Sequence, residues 1–273
     1  MHQIIRDLAL CLQELRNKAP LVHNITNYVT VNDAANALLA IGASPIMADD
    51  IHETADITAI SSALVINIGT LDERTICSMI ASGKKANELG IPVVFDPVGA
   101  GASKLRNETA KEVLSQVQVA VLRGNLSEMS YLAGLDAAIK GVDSSDDENN
   151  DRADVAHITA RAYGCVAAIT GAVDVISDGN RLVKIFNGHK MLSRVTGTGC
   201  MTTALVGAFA GVCNDYFTAA AGGVASMGIA GELAYEKCGN AGTGSFHMAV
   251  IDALSNLDGS LFSERAMLDE VSY

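Results

Sequence analysis

The chain has 273 residues, 49% of them hydrophobic, with 25 glycines and no tryptophan, which provides a folded interior and excludes wholesale disorder. Its 31 acidic and 19 basic side chains give a formal net charge of -12, which repels nucleic-acid phosphates and anionic membrane surfaces and removes both as expected partners. A small phosphorylated ligand fits only where backbone amides, an arginine or a divalent metal supply positive potential locally.

In chain order, Ile4, Ile5, Leu8, Leu12 and Leu15 interleave with Arg6, Asp7, Glu14 and Arg16, which predicts an amphipathic helix without the unbroken apolar core of a signal peptide. Apolar runs at 63–66, 91–95, 117–122 and 166–169 read as strands buried on both faces, and 73–89, 107–116, 126–133 and 152–163 as the crossover helices between them. This βαβ succession predicts an α/β fold with a mostly parallel central sheet. The four strands end in Asn67–Ile68–Gly69–Thr70, Asp96–Pro97–Val98–Gly99–Ala100–Gly101, Arg123–Gly124–Asn125 and Thr170–Gly171. Ligands of open α/β sheets bind at such carboxyl ends, so the four ends predict one site. Residues 144–151 are acidic and free of apolar side chains, and read as a solvated loop. No stretch is long enough for a linker, so a single domain over 1–273 is expected. Residues 217–234, rich in Ala and Gly but containing Glu232, read as a helix buried in the core rather than a membrane span. Six cysteines form no C-x-x-C pair, which points to a reduced cytoplasmic protein with neither a zinc site nor a disulfide framework.

The sharpest chemical signal is Gly197–Thr198–Gly199–Cys200 followed by a helix-compatible stretch, 201–212. Two glycines let the backbone approach an anion, and the helix start adds free N–H groups and a positive dipole end. Cys200, at that start, is a candidate base for a substrate hydroxyl or else a small buried apolar residue.

The segments Leu21–Val22–His23–Asn24–Ile25–Thr26–Asn27, Gly42–Ala43–Ser44–Pro45–Ile46–Met47–Ala48 and Gly242–Thr243–Gly244–Ser245–Phe246, together with the four strand ends and the Gly197–Cys200 run, resemble the hydroxyethylthiazole kinase family. The resemblance implies a ribokinase-like three-layer α/β fold and ATP-dependent phosphorylation of 4-methyl-5-(2-hydroxyethyl)thiazole in thiamine synthesis and salvage. It places Cys200 as catalytic base where many sugar kinases of the fold carry Asp, and Gly197, Thr198 and Gly199 as the anion hole. Arg123 and Thr170 match ATP-binding positions, and Asp96 and Glu128 the pair associated with Mg2+. Met47 and Gly197 match thiazole-contacting positions, with Asn27 framing that pocket. It implies a homotrimer with the acceptor pocket at the subunit boundary. Asp96 before Pro97 also suits a plain turn, Glu128 a plain first-turn helix residue, and Met47 plain core. Two other functions stay open: a kinase of another small vitamin-type alcohol, and a sensor that binds nucleotide or thiazole without turnover.

Overall fold

The computed structural model describes residues 3–135 and 145–272, with backbone alone for 145–151 and 272. Helix α1 (Gln3–Lys18) buries Ile4, Ile5, Leu8, Leu12 and Leu15, the residues that define its apolar face in the sequence. Then follow β1 (Leu21–Ile25), α2 (Val31–Ile41), β2 (Ser44–Ile46), α3 (Thr54–Ala59), β3 (Ala63–Asn67), α4 (Glu73–Leu89), β4 (Val93–Asp96), α5 (Lys104–Gln116), β5 (Val121–Asn125), α6 (Leu126–Leu132) and α7 (Ser145–Tyr163). The remainder comprises β6 (Val166–Thr170), β7 (Asp174–Ser177), β8 (Arg181–Ile185), a 3-10 turn (Lys190–Arg194), α8 (Thr198–Ala210), α9 (Tyr216–Cys238), α10 (Thr243–Asn256), α11 (Gly259–Arg265) and β9 (Leu268–Ser272).

Among the described residues the strands form one nine-stranded sheet in the order β2-β1-β3-β4-β5-β6-β7-β8-β9. Pairing is parallel from β2 to β6 and antiparallel from β6 to β9. Alternation along each strand feeds two cores. Ala63 and Val65 of β3 pack with α1, α2, α8, α9 and α10, whereas Leu64 and Ile66 pack with α4, α5, α6 and α7. The three-layer arrangement expected from the sequence is therefore present.

Two expectations are corrected. The third buried strand runs Val121–Asn125 rather than 117–122, because Val117 and Val119 are buried outside the ladder, with Val117 filling the space that a side chain at Gly83 of α4 would need. The acidic segment is not a loop: residues 145–151 form the opening turns of α7; Ser144 lies outside the described residues. The buried reading of 217–234 holds in α9, and no helix among the described residues is long and apolar enough to cross a membrane.

Candidate active site

Helix α8 lies directly on the sheet, with Gly207 close enough to Val65 that a side chain there would collide. Its N-terminus consequently meets the carboxyl ends of the central strands. The helix begins at Thr198 with Gly197 as N-cap at φ 88, a left-handed conformation that favours glycine. A Cβ on Gly197 would lie 2.9 Å from Thr30 Cγ2, and one on Gly199 would lie 3.0 Å from Arg123 Nη1. Gly197 is thus required by its left-handed conformation and by Thr30 at the N-cap of α2, whereas a side chain at Gly199 would crowd the Arg123 guanidinium, which brings a cation to the helix start.

Cys200 is the third residue of α8 and half-buried. Its Sγ lies 3.3 Å from Asn27 Nδ2 and 3.3 Å from Asn67 Nδ2, both donating to the sulfur. Asn27 accepts from Thr30 N and Thr30 Oγ1, each at 3.1 Å, which fixes its amide so that Nδ2 donates to Asn67 Oδ1 and to the sulfur. Asn67 in turn donates to Asp96 Oδ2 at 2.9 Å. That same oxygen accepts from Thr203 Oγ1 at 2.6 Å and faces Arg123 Nη1 at 3.5 Å. Arg123 Nη2 donates to Thr170 Oγ1 at 2.5 Å. One polar chain therefore runs from Asn27 to Thr170 across the ends of β3, β4, β5 and β6.

Asp96 is fully buried, and burial pushes its carboxyl up to about 6; Arg123 opposes this, the charge of Glu128 adds to it, and the Thr203 and Asn67 hydrogen bonds oppose it. Its second oxygen, Oδ1, has no hydrogen-bond partner among the described residues, and neither does Arg123 Nε. An unpaired acceptor and an unpaired donor in the interior are costly unless ligands complete them. Glu128 is buried: Oε1 accepts from Gly99 N at 2.8 Å, and Oε2 from Asn125 N at 2.8 Å, within a capping box at the start of α6. Among the described residues no three His, Cys, Asp or Glu side chains gather as a metal cage, so an ion held at Asp96 and Glu128 would keep water in its shell, as Mg2+ does.

Two clefts open at this end of the sheet. The larger, about 750 Å³, is lined by Arg123, Thr170, Thr198 and Gly199 among others. The smaller, about 340 Å³, is lined by Met47, Asn24, Thr26, Tyr28 and Arg74 among others.

Residues 12–260, spanning almost all of this frame, match the sequence profile of the hydroxyethylthiazole kinase family. The chain belongs to that family. The hydroxyethylthiazole kinase of Ruminiclostridium cellulolyticum is 63% identical over 273 residues, covering 99% of this chain and 100% of that protein. The hydroxyethylthiazole kinase of Clostridium beijerinckii is 64% identical over 264 residues, covering 95% and 96% of the two chains. A solved hydroxyethylthiazole kinase from Pyrococcus horikoshii OT3 superposes with a TM-score of 0.89 at 41% identity, covering 97% of this chain and 99% of that one.

Of the residues that the thiazole kinase resemblance singles out, Arg123, Thr170, Thr198 and Gly199 meet in the larger cleft, and Arg123 joins them to Asp96. On the acceptor side, Met47 lines the smaller cleft together with Thr26 and Tyr28, Asn27 between them contacts the Cys200 sulfur, and Gly197 packs against Thr30, which donates to Asn27. Three further residues build the site. Asn67 and Thr203 share Asp96 Oδ2, and Arg106 of α5 donates to the carbonyls of Ile68, Val98 and Gly69 at 2.6, 2.6 and 2.7 Å, tying together the loops after β3 and β4. Thr203 was detectable four residues beyond Gly199, on the same helical face; Arg106 was not, because its partners are backbone carbonyls.

Proposed function

We propose that the chain transfers the γ-phosphoryl group of ATP to the primary alcohol of 4-methyl-5-(2-hydroxyethyl)thiazole, giving the phosphate used in thiamine synthesis. The family match and the relatives above support the reaction class and acceptor. The observation that carries the mechanism is the contact between Gly199 and the Arg123 guanidinium at the start of α8, one residue before Cys200.

The larger cleft takes the nucleotide, with the Thr198 and Gly199 amides and Arg123 facing its phosphates and Thr170 orienting the guanidinium. Phosphoryl transfer asks little covalent chemistry of the protein, so alignment and charge neutralisation supply most of the rate. The unpaired Asp96 Oδ1, with Glu128 nearby, fits a hard cation; bound Mg2+ would supply positive charge to the polyphosphate. Cys200 Sγ, steadied by two amide donors, accepts the alcohol proton as a modest base.

The smaller cleft takes the thiazole, with the Met47 thioether suited to a flat heterocycle. Tyr28, on its rim, exposes 80% of its surface and Val29 beside it 56%, which suits a neighbouring subunit that completes the pocket, as in the homotrimer that the family resemblance implies. The chain acts as one ribokinase-like domain in the cytoplasm, a reading supported by the single sheet and the free cysteines.

Cys200→Ala should lower kcat by about ten- to a hundred-fold, at or below the low end of general-base effects because a thiol is a modest base, and leave KM for ATP within about two-fold. Steady-state kinetics checks this, and unchanged kcat would remove the sulfur from the mechanism. A panel of other vitamin-type alcohols, compared by kcat/KM, tests the acceptor.

A further inference from the structure

Helix α9 is almost wholly apolar, yet Glu232 stands in it half-buried. Its carboxylate faces the segment between β8 and the 3-10 turn, which forms one wall of the larger cleft through Asn187, Gly188 and His189. That wall lies along a single stripe of α9, at Gly228, Glu232 and Tyr235, spaced four and three residues apart. At Gly228 the backbone of Asn187 comes so close that a Cβ would sit 2.6 Å from the Asn187 carbonyl oxygen. At Glu232, Oε1 accepts from Gly188 N at 2.8 Å, and both oxygens accept from Asn187 Nδ2 at 3.3 and 3.2 Å. At Tyr235 the ring stacks on His189 with centroids 3.7 Å apart.

Asn187 cannot turn its amide to suit another partner. It is buried, its Oδ1 accepts from Met267 N at 2.7 Å, and its Nδ2 also donates to the Arg265 carbonyl at 2.8 Å. The group opposite must therefore be a pure acceptor, and a carboxylate is the side chain that offers two such oxygens. Gly188, at φ 145, holds a conformation that other residues rarely adopt, and the Glu232 carboxylate ties its N–H to α9.

We infer that Glu232 is a positioning residue for nucleotide binding, fixing the Asn187–His189 wall in its bound geometry before ATP arrives. The inference rests on the assignment of the larger cleft to the nucleotide. It acts on that side only, because Glu232 touches neither the Cys200 network nor the Met47 cleft. Preorganisation of a wall lowers the cost of ordering it on binding, so its loss appears in nucleotide affinity.

The experiment measures ADP affinity by calorimetry with magnesium present, and KM for ATP, KM for the thiazole alcohol and kcat, in wild type, Glu232→Ala, Glu232→Gln and Ser193→Trp. Ser193 is exposed and lines the same cleft, so its indole obstructs the nucleotide without disturbing the core. Glu232→Ala should weaken ADP and raise KM for ATP about ten-fold, and Glu232→Gln about three-fold, since it keeps one acceptor for Gly188 N; kcat and KM for the thiazole should stay within about two-fold. If Ser193→Trp loses ADP while both Glu232 variants bind it as wild type does, the positioning role is wrong and the cleft assignment stands. Equal losses on the thiazole and nucleotide sides in the Glu232 variants would overturn the role as well. Wild-type ADP affinity in Ser193→Trp would show that the nucleotide lies elsewhere and remove the basis of the inference.

Discussion

Asp96→Asn is expected to cut kcat/KM by about 10²–10³-fold and to raise the magnesium concentration needed for half-maximal rate, because it removes the charge that the unpaired Oδ1 offers to a cation. The same change has a stability signature in the ligand-free, magnesium-free protein. Burial lifts the Asp96 carboxyl from an ordinary value near 3.8 to about 6, against the opposing pull of Arg123. The folded state therefore binds this proton more tightly than the unfolded chain does. Its contribution to stability is complete below about pH 4 and is lost as pH rises through 6. Wild type should lose about 3 kcal/mol over that window that Asp96→Asn does not lose. Denaturant titrations at pH 4.5 and 8 capture about 2 kcal/mol of it: the variant's stability relative to wild type should rise with pH, and a pH-independent difference would mean that Asp96 is not held in this way.

Arg123→Met should have an effect of similar size with a different signature. The guanidinium faces Asp96, donates to Thr170 and lies against Gly199, so its loss removes the cation at the helix start and the partner of a buried carboxylate together. KM for ATP should rise by about thirty- to a hundred-fold and kcat should fall by at least about ten-fold. Without Arg123 the Asp96 carboxyl titrates higher, so the acidic limb of the rate profile should move toward alkaline pH. A variant with wild-type KM for ATP and an unmoved acidic limb would place the phosphates away from Arg123.

Strands β3, β4 and β6 were legible because parallel strands covered on both faces read as continuous apolar runs, whereas β5 was set too early because Val117 and Val119 are buried ahead of it; the polar residues at the strand ends mark the site because open α/β sheets bind ligands there. Strand β1 was not legible as a strand: His23 and Asn24 interrupt it, and both are buried, His23 between Thr58 Oγ1 at 2.9 Å and the Ala48 carbonyl at 2.7 Å. Burial lowers the pKa of that ring, in keeping with a structural role. The β7–β8 hairpin carried a readable signal in Asp178–Gly179–Asn180, with Gly179 at φ 87, which the parallel pattern obscured. In the site, Asn125 and Glu128 at capping-box spacing announce the hydrogen bonds that bury Glu128, whereas the first-turn reading leaves it exposed. The contacts of Asn27 and Asn67 with the Cys200 sulfur join residues 173 and 133 positions apart, a pairing that only the sheet order creates.

In the proposed reaction the amides at the start of α8 and Arg123 hold a migrating phosphoryl group beside an alcohol facing the Cys200 sulfur. Phosphorus NMR of purified protein with ATP, magnesium and hydroxyethylthiazole tests it most directly. Equal amounts of ADP and a phosphate monoester of the thiazole alcohol are expected, formed only when all three are present. ADP appearing at the same rate without the alcohol, or no monoester despite bound ATP, would contradict it.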